Sequence, residues 1–241
     1  MKTIIIAKNH HHLKKLIQQE IDLHGNECDL NHIDVSNVEI MLNIFSESRF
    51  NGNISKWDTS KVKYMRNMFH ASEFNGDISQ WDVSNVIDMV QMFYHSNFTG
   101  DISNWNTLNV KEMIRMFAHS QFNSDISDWN ITNVKDMDGM FQESLFNGNI
   151  SRWDVSNVTH MSYMFIDAQF EQDLSLWKPY SLNDPIEPFI RSIAPLPYWT
   201  QYYNKDDRKE AIDFYTIKIR YEHLNSSLTI NHNNLPKKNK I

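Results

Sequence analysis

The sequence predicts an α/β solenoid in which each 24-residue coil contributes one short strand and one short helix. Its main support is a repeat of constant length, with no insertion or deletion between copies. A degenerate copy from Asp29 to Arg49 precedes the full copies, and a truncated copy follows them. The full copies begin at Phe50, Phe74, Phe98, Phe122 and Phe146, and the truncated copy begins at Phe170.

Large apolar residues recur at the same places in every copy. No single coil can bury them, but stacking places each one against its equivalents in the neighbouring coils. Strict repetition therefore favours core packing over a cofactor site made of aromatic and methionine side chains. The columns are Trp57, Trp81, Trp105, Trp129, Trp153 and Trp177; Ile54, Ile78, Ile102, Ile126 and Ile150, ending in Leu174; Met65/Met68, Met89/Met92, Met113/Met116, Met137/Met140 and Met161/Met164; and Phe69, Phe93, Phe117, Phe141 and Phe165.

Each copy divides into two parts. The segment Ile78–Trp81 follows Asn75-Gly76, a dipeptide typical of tight turns because glycine accepts positive φ, and we expect this segment to be extended. Val86, Met89, Val90 and Phe93 then have the i, i+3, i+4, i+7 spacing of a helical face. Ser84 or Asn85 is the expected N-cap of this helix.

The ends of the chain predict caps for the array. Residues 1–28 form the N-terminal cap, with a strand at 3–6 and an amphipathic helix from Asn9 to His24, and residues 29–177 form the solenoid. Residues 178–225 form the C-terminal cap, irregular to residue 205 because five of the six prolines lie there. A helix is expected from Asp206 to about Leu224, with a strand as the alternative, and residues 226–241 are expected to be a mobile tail.

The repeat WDVSNVxxMxxMF followed by FNxDIS resembles the BspA-type leucine-rich-repeat family of bacterial surface proteins and their shorter bacterial and phage-borne relatives. The match covers about Asp29 to Trp177. The resemblance implies a right-handed, leucine-rich-repeat-like solenoid that binds other macromolecules and carries no catalytic residues.

Composition and targeting signals favour a cytoplasmic protein. The formal net charge of −7 argues against nucleic acid as a partner, which would require a basic face. A lone Cys28 has no cysteine to pair with and is expected to be a small buried residue. Lys8 and the three histidines after it interrupt the apolar N-terminus before it reaches signal-peptide length, and no segment reaches membrane-spanning length.

No residue pattern in the chain predicts catalysis or a cofactor. A Ser/His/Asp or Cys/His arrangement, a phosphate-binding glycine loop and a metal-spaced cluster are all missing from the sequence. His10, His11 and His12 are adjacent on a helix and therefore point in different directions. The column of Asp77, Asp101 and Asp125 is expected to cap turn amides, with a cation column as the alternative.

Residues that differ between copies are candidates for partner binding, although neutral sequence drift on a surface that binds nothing explains such variation equally well. The first candidate column lies between the isoleucine and tryptophan ladders and faces outward: Lys56, Gln80, Asn104, Asp128 and Arg152. A second column, His70, Tyr94, Ala118, Gln142 and Ile166, runs beside His95 and His119. Near the C-terminus, Tyr198, Trp199 and Tyr202 form a candidate aromatic patch or a seal on the core.

The expected function is a non-catalytic, protein-binding repeat scaffold inside the cell. An immunity, inhibitor or anti-defence protein of a bacterium or phage is the leading interpretation, and a surface adhesin-like binder is the alternative suggested by the repeat resemblance. The sequence names neither the partner protein nor the oligomeric state.

Overall fold

The computed structural model describes residues 3–233, with side-chain burial to residue 226. Strand β1 (Ile5–Ile6) is followed by helix α1 (His10–His24) and strand β2 (Ile33–Asp34). β1 and β2 are parallel, with Ile5 opposite Ile33. Two 3₁₀ helices, Glu187–Phe189 and Tyr198–Gln201, precede helix α2 (Lys205–Asn233). Within the described range, these are the regular elements that the backbone forms.

Helix α1 covers the N-terminal end of the repeats. The Asn9 side chain accepts the amide hydrogen of His12 at 3.0 Å and caps the helix. Gly25, at φ +81°, ends it and donates its amide to the Ile21 carbonyl at 2.8 Å. The helix buries Leu13, Leu16 and Ile17 against the core, and its other faces are mostly exposed.

Successive copies lie side by side and are joined by parallel backbone bridges at one position of each copy. The bridged residues are 24 apart, and Asp88, for example, pairs with Tyr64 on one side and Glu112 on the other. The full series runs Ile40, Tyr64, Asp88, Glu112, Asp136 and His160. Each of these bridges is a single residue, so the full copies contribute bridges to the stack and no regular strand, while the copy from Asp29 to Arg49 contains β2.

The prediction of one strand and one helix per copy is wrong for both elements. The predicted extended segment Ile78–Trp81 is a tight turn closed by the Trp81 amide and the Ile78 carbonyl at 3.2 Å. The predicted helix Val86–Phe93 contains the bridging residue Asp88 and, from Val90 onward, consecutive turns. The helical spacing of its apolar residues comes from turns that return the chain to the same face every three or four residues.

Left-handed residues explain why this segment is not helical. Gln91 has φ +53° and His95 also has φ +53°, and the equivalent residues of the other copies share this conformation. A right-handed helix cannot contain such residues. The amides of Met89, Gln91 and Phe93 therefore donate to the next copy, at 3.1, 2.8 and 2.9 Å, while the amides between them close turns within their own copy.

The glycine of Asn75-Gly76 is required for close packing and not for positive φ, contrary to the sequence expectation. In the described residues only Gly25 and Gly139 among the glycines have positive φ. A Cβ at Gly76 would lie 2.8 Å from the Phe74 ring. At Gly52 it would lie 2.0 Å from the Cys28 carbonyl oxygen, so this glycine lets the first full copy approach the end of the N-terminal cap.

The apolar columns form one continuous core, as the sequence predicts. The tryptophans of the array are at most 4% exposed, and the isoleucine, methionine and phenylalanine columns are buried with them. Neighbouring rings stack, for example Trp57 on Trp81 at 6.2 Å between centroids and Phe69 on Phe93 at 5.6 Å. Each indole also donates to a carbonyl of the preceding copy, as from Trp81 to Ile54 at 3.2 Å.

The stacked repeats extend beyond the predicted boundary at Trp177. Phe189 lies 24 residues after Phe165 and stacks on it at 5.8 Å, and the Pro188 carbonyl accepts the Phe165 amide at 3.1 Å. Proline suits this terminal copy at two positions. Pro185 lacks the amide that Met89 and its equivalents donate to the next copy, and Pro188 lacks an amide that, in Met92, only closes a turn within its own copy.

The predicted tail begins too early. Helix α2 starts at Lys205 and continues to Asn233, so residues 226–233, predicted as tail, are helical. Residues 234–241, and residues 1–2 of the predicted N-terminal cap, lie outside the described range. We propose that the stack is a solenoid with one repeat per coil, and the right-handed, leucine-rich-repeat-like form of that solenoid stays a prediction.

Substitutions at Gln91 distinguish a turn from a helix at this position. In a helix, glycine is about 1 kcal/mol less stable than alanine, whereas at positive φ alanine carries a strain of about 1–2 kcal/mol that glycine avoids. We expect Gln91→Gly to have a free energy of unfolding about 1 kcal/mol higher than Gln91→Ala, measured by urea denaturation.

The same pair of substitutions at Gln19 is the matched control, because this residue is exposed on α1. There the glycine variant should be the less stable of the two. A lower stability for glycine at both positions would contradict the turn geometry.

Candidate interaction surface

The outward column predicted for recognition lies on a series of tight turns, which we call the turn face. Each member is the third residue of a turn that begins at the isoleucine column and ends at the tryptophan column. The Trp105 amide, for example, bonds the Ile102 carbonyl at 3.1 Å. The side chains of the column are all exposed: Lys56, Gln80, Asn104, Asp128 and Arg152. The turn holds the backbone at these positions, and the side chain is free to vary.

The aspartate column beside the turn face caps these turns. Asp77 Oδ1 accepts the amide of Ser79 at 2.9 Å, and Asp101 and Asp125 accept the amides of Ser103 and Ser127 at the same distance. These hydrogen bonds hold the pKa of all three carboxyl groups below the ordinary value of 3.8. Among residues 3–233, no three His, Cys, Asp or Glu side chains are grouped as a metal site would require.

The turn face ends in a depression at the C-terminal copy, with a volume of about 540 Å³. Arg152, Leu176, Lys178 and Tyr180 line it, and Leu176 is 55% exposed. The Tyr180 hydroxyl donates to Asp213 of α2 at 2.8 Å, which fixes this wall. Burial, followed by the hydrogen bond to Asp213, raises the pKa of Tyr180 to about 12. The depression therefore combines two cations with an exposed leucine.

The predicted aromatic patch near the C-terminus is largely part of the core. Trp199 is fully buried, and its indole donates to the Leu174 carbonyl at 3.2 Å, as each array tryptophan does to the copy before it. Trp199 is therefore not a partner-binding residue. Tyr198 is half-buried against Tyr215, with ring centroids 4.1 Å apart, and Tyr202 is 38% exposed. The repeat period did not reveal Trp199 as a core residue, because it follows Trp177 by 22 residues.

A row of histidine and tyrosine rings lies along the second variable column, which begins at His70, and along the neighbouring residues His95 and His119. His70 stacks on Tyr94 at 5.1 Å, and His95 stacks on His119 at 4.3 Å between centroids. His119 Nδ1 lies 3.1 Å from a Glu143 carboxylate oxygen. Burial, with the nearby His119 as a further cause, lowers the pKa of His95. This row packs side chain on side chain across copies, so its variation is limited by its neighbours.

Two asparagine columns have structural roles that sequence reasoning missed. Asn75 Oδ1 accepts the Thr99 amide at 2.9 Å, which connects equivalent positions of adjacent copies. Asn85 Nδ2 donates to the Ser60 carbonyl at 2.7 Å, so this residue bonds the preceding copy and is not the helix cap that was predicted. The recurrence of both columns at the repeat period was the available signal. The equivalents of Asn85 are Asn109, Asn133 and Asn157.

Replacing Trp199 with alanine tests its place in the core. Loss of a fully buried tryptophan in a packed core costs about 3–5 kcal/mol. We expect a decrease of that size in the free energy of unfolding of Trp199→Ala, measured by urea denaturation. Tyr202→Ala is the matched control and should change stability by less than about 1 kcal/mol, because this side chain is exposed. Equal losses in the two variants would contradict the assignment.

The aspartate column predicts a defined response to acid. The carboxylates have a lowered pKa in the folded state, so their stabilisation is present above the ordinary pKa and is lost as the pH falls through the folded value. Combined Asp77→Asn, Asp101→Asn and Asp125→Asn substitutions keep the turn bond, as Asn53 and Asn149 do at 3.1 and 3.0 Å. We expect the wild-type protein to be the more stable of the two above the ordinary pKa of these carboxyl groups, and the difference to disappear as the pH falls below their lowered folded-state pKa.

Urea midpoints at several pH values measure this difference. A gap that stays constant between the two proteins from neutral to acidic pH would contradict the role of these carboxylates.

The described helices lack the combination of length and apolar character that a membrane crossing requires. No curated protein matches the chain significantly, and neither does any solved structure. A family model does match, over residues 12–127 and 112–192, and its upper limit agrees with the last stacked copy around Phe189. The chain therefore belongs to the bacterial repeat family described as Mycoplasma protein of unknown function, DUF285.

Proposed function

We propose that this protein is a non-catalytic, protein-binding repeat scaffold whose recognition surface is the turn face. The observation that carries the proposal is the depression of about 540 Å³ in which the turn face ends. It offers exposed apolar surface from Leu176 beside the cationic groups of Arg152 and Lys178, and it is also lined by Tyr180; arginine and tyrosine are enriched at protein interfaces. The buried ladders support this reading, because their large side chains are committed to packing.

The chemistry of the depression favours a partner segment that carries a carboxylate next to an apolar side chain. Arg152 can hold a carboxylate with two parallel hydrogen bonds, and Lys178 adds a second positive charge. Asp154 also lines the depression, but its carboxylate accepts the Ser156 amide at 3.0 Å. The variable residues along the turn face, from Lys56 to Asp128, then extend the contact and set specificity.

An intracellular inhibitor, immunity or anti-defence role, in a bacterium or its phage, is part of this proposal. The proposal also includes the similarity of the repeat to the BspA-type leucine-rich-repeat family. That similarity favours an alternative function, which is a surface adhesin-like binder. Fractionation of the native host separates the two settings. Detection of the untagged protein only in the cytosolic fraction would exclude the adhesin-like function.

Affinity purification from the native host, followed by quantitative mass spectrometry, tests the recognition surface. We expect a stoichiometric protein partner whose recovery falls at least about tenfold with Arg152→Glu, which reverses a charge in the depression. Lys15→Glu is the matched control, because it makes the same charge change at an exposed position of α1 and should leave recovery unchanged.

Both variants should unfold at the wild-type urea midpoint, because surface substitutions of this kind change stability by less than about 0.5 kcal/mol. The absence of any stoichiometric protein would oppose the binding function. A partner that is retained by Arg152→Glu would show that binding does not use the turn face.

A further inference from the structure

Helix α2 has an inner apolar face that holds it against the last copy. Ile212 is fully buried, and the Tyr215 ring contacts Tyr198 with centroids 4.1 Å apart. Arg208 on the same side is also fully buried and donates to the carbonyls of Pro179, Leu182 and Tyr202. These contacts fix the orientation of the helix on its own chain.

A second apolar face lies on the other side of the helix. Phe214, Ile217, Tyr221 and Leu224 are 69%, 67%, 65% and 54% exposed. At about 100° per residue, this outer face is directed roughly opposite to the inner one. Its spacing of three, four and three residues is that of the a and d positions of a heptad repeat. A helix that is apolar on two opposite sides is normally covered on both.

We propose that a second copy of this chain covers the outer face of α2 and forms a parallel two-stranded coiled coil with it. The outer face points away from the last copy, so the repeat stacks of the two chains would lie on opposite sides of the helix pair without collision. The surface is separate from the turn face, and the proposal is independent of the proposed function.

Charge favours the parallel arrangement. If Phe214 and Tyr221 occupy a positions of the heptad, Asp213 occupies a g position and Lys218 an e position. In a parallel pair, Asp213 of one helix lies next to Lys218 of the other helix. The two chains would thus form two Asp213–Lys218 pairs. An antiparallel pair centred on the same four residues would instead place Lys218 against Lys218 and Arg220 against Arg220. Hydrogen bonds from Tyr180 and Lys209 hold Asp213 at the edge of the seam.

The outer face is short, so the dimer should be weak. Its four core positions, from Phe214 to Leu224, cover about one and a half heptads. Such an interface falls at the small end of specific contacts, and we expect a dissociation constant on the order of 10 µM.

Sedimentation of the full chain from about 5 to about 200 µM tests the proposal. We expect a reversible monomer–dimer equilibrium that Ile217→Glu weakens at least about tenfold and Lys218→Glu weakens to a smaller extent. Leu145→Glu is the control: this leucine is 51% exposed on the repeat array, and its replacement should leave the equilibrium unchanged. Far-ultraviolet circular dichroism and urea midpoints establish that each variant is folded.

A Leu224→Cys substitution tests the parallel register. In a parallel pair Leu224 faces Leu224, so this variant should form a disulfide dimer with oxidised glutathione, while the wild-type chain, with buried Cys28, should not. A monomer at every concentration overturns the proposal, even if α2 binds a different protein. A dimer that Ile217→Glu leaves intact, or a Leu224→Cys variant that fails to cross-link, overturns it as well.

Discussion

The structure depends on one constraint: the backbone of each copy is completed by a neighbour one repeat period away. Amides along the turn segment alternate between bonds inside their own copy and bonds to the next, as Met92 and Phe93 show. Buried amides and carbonyls without partners are costly, so a copy of another length would leave several of them unpaired. The indole of each tryptophan follows the same rule, because its acceptor belongs to the preceding copy. This explains why five copies keep the same length.

The same constraint separates residues that the fold requires from residues that it leaves free. Side chains inside the stack contact equivalent side chains above and below, and a change in one affects three copies. The third residue of each isoleucine-to-tryptophan turn contacts solvent, and its backbone is held whatever side chain it carries. Variation among Lys56, Asp128 and Arg152 is therefore compatible with one unchanged scaffold.

The sequence predicted the core well because a repeated column reports burial directly. Trp81, Met89 and Phe93 were assigned to the interior from their period, and the structure buries all three. The local backbone was not predictable in the same way, because tight turns and a helix place apolar residues at the same spacing. The deciding residues, Gln91 and His95, carry no glycine signal for their positive φ. Neighbouring copies supply the hydrogen bonds that hold them there, and this stabilisation is tertiary and not local.

The C-terminal errors have a different physical origin. The cluster of prolines was interpreted as an irregular cap after the array, since such a density of proline is incompatible with a regular helix or an interior strand. The last copy has no successor to receive the amide that Pro185 lacks, and the amide that Pro188 lacks would only close a turn within its own copy. Both prolines are therefore compatible with the stack, and Phe189 and Trp199 continue the buried columns. On the turn face the sequence identified exposed positions, but the depression at Leu176 and Lys178 depends on how the final copy meets α2. That arrangement has no periodic signature.

A stack whose every junction is chemically alike can change its length without changing its parts. Adding one complete unit between Asn97 and Phe98, or deleting one complete unit from the array, would recreate the same contacts on both sides. A unit joined after the last copy would instead meet Pro185, which lacks the amide that Met89 and its equivalents donate to the next copy. Gene duplication can therefore lengthen the molecule by inserting whole copies into the array, while both ends stay the same.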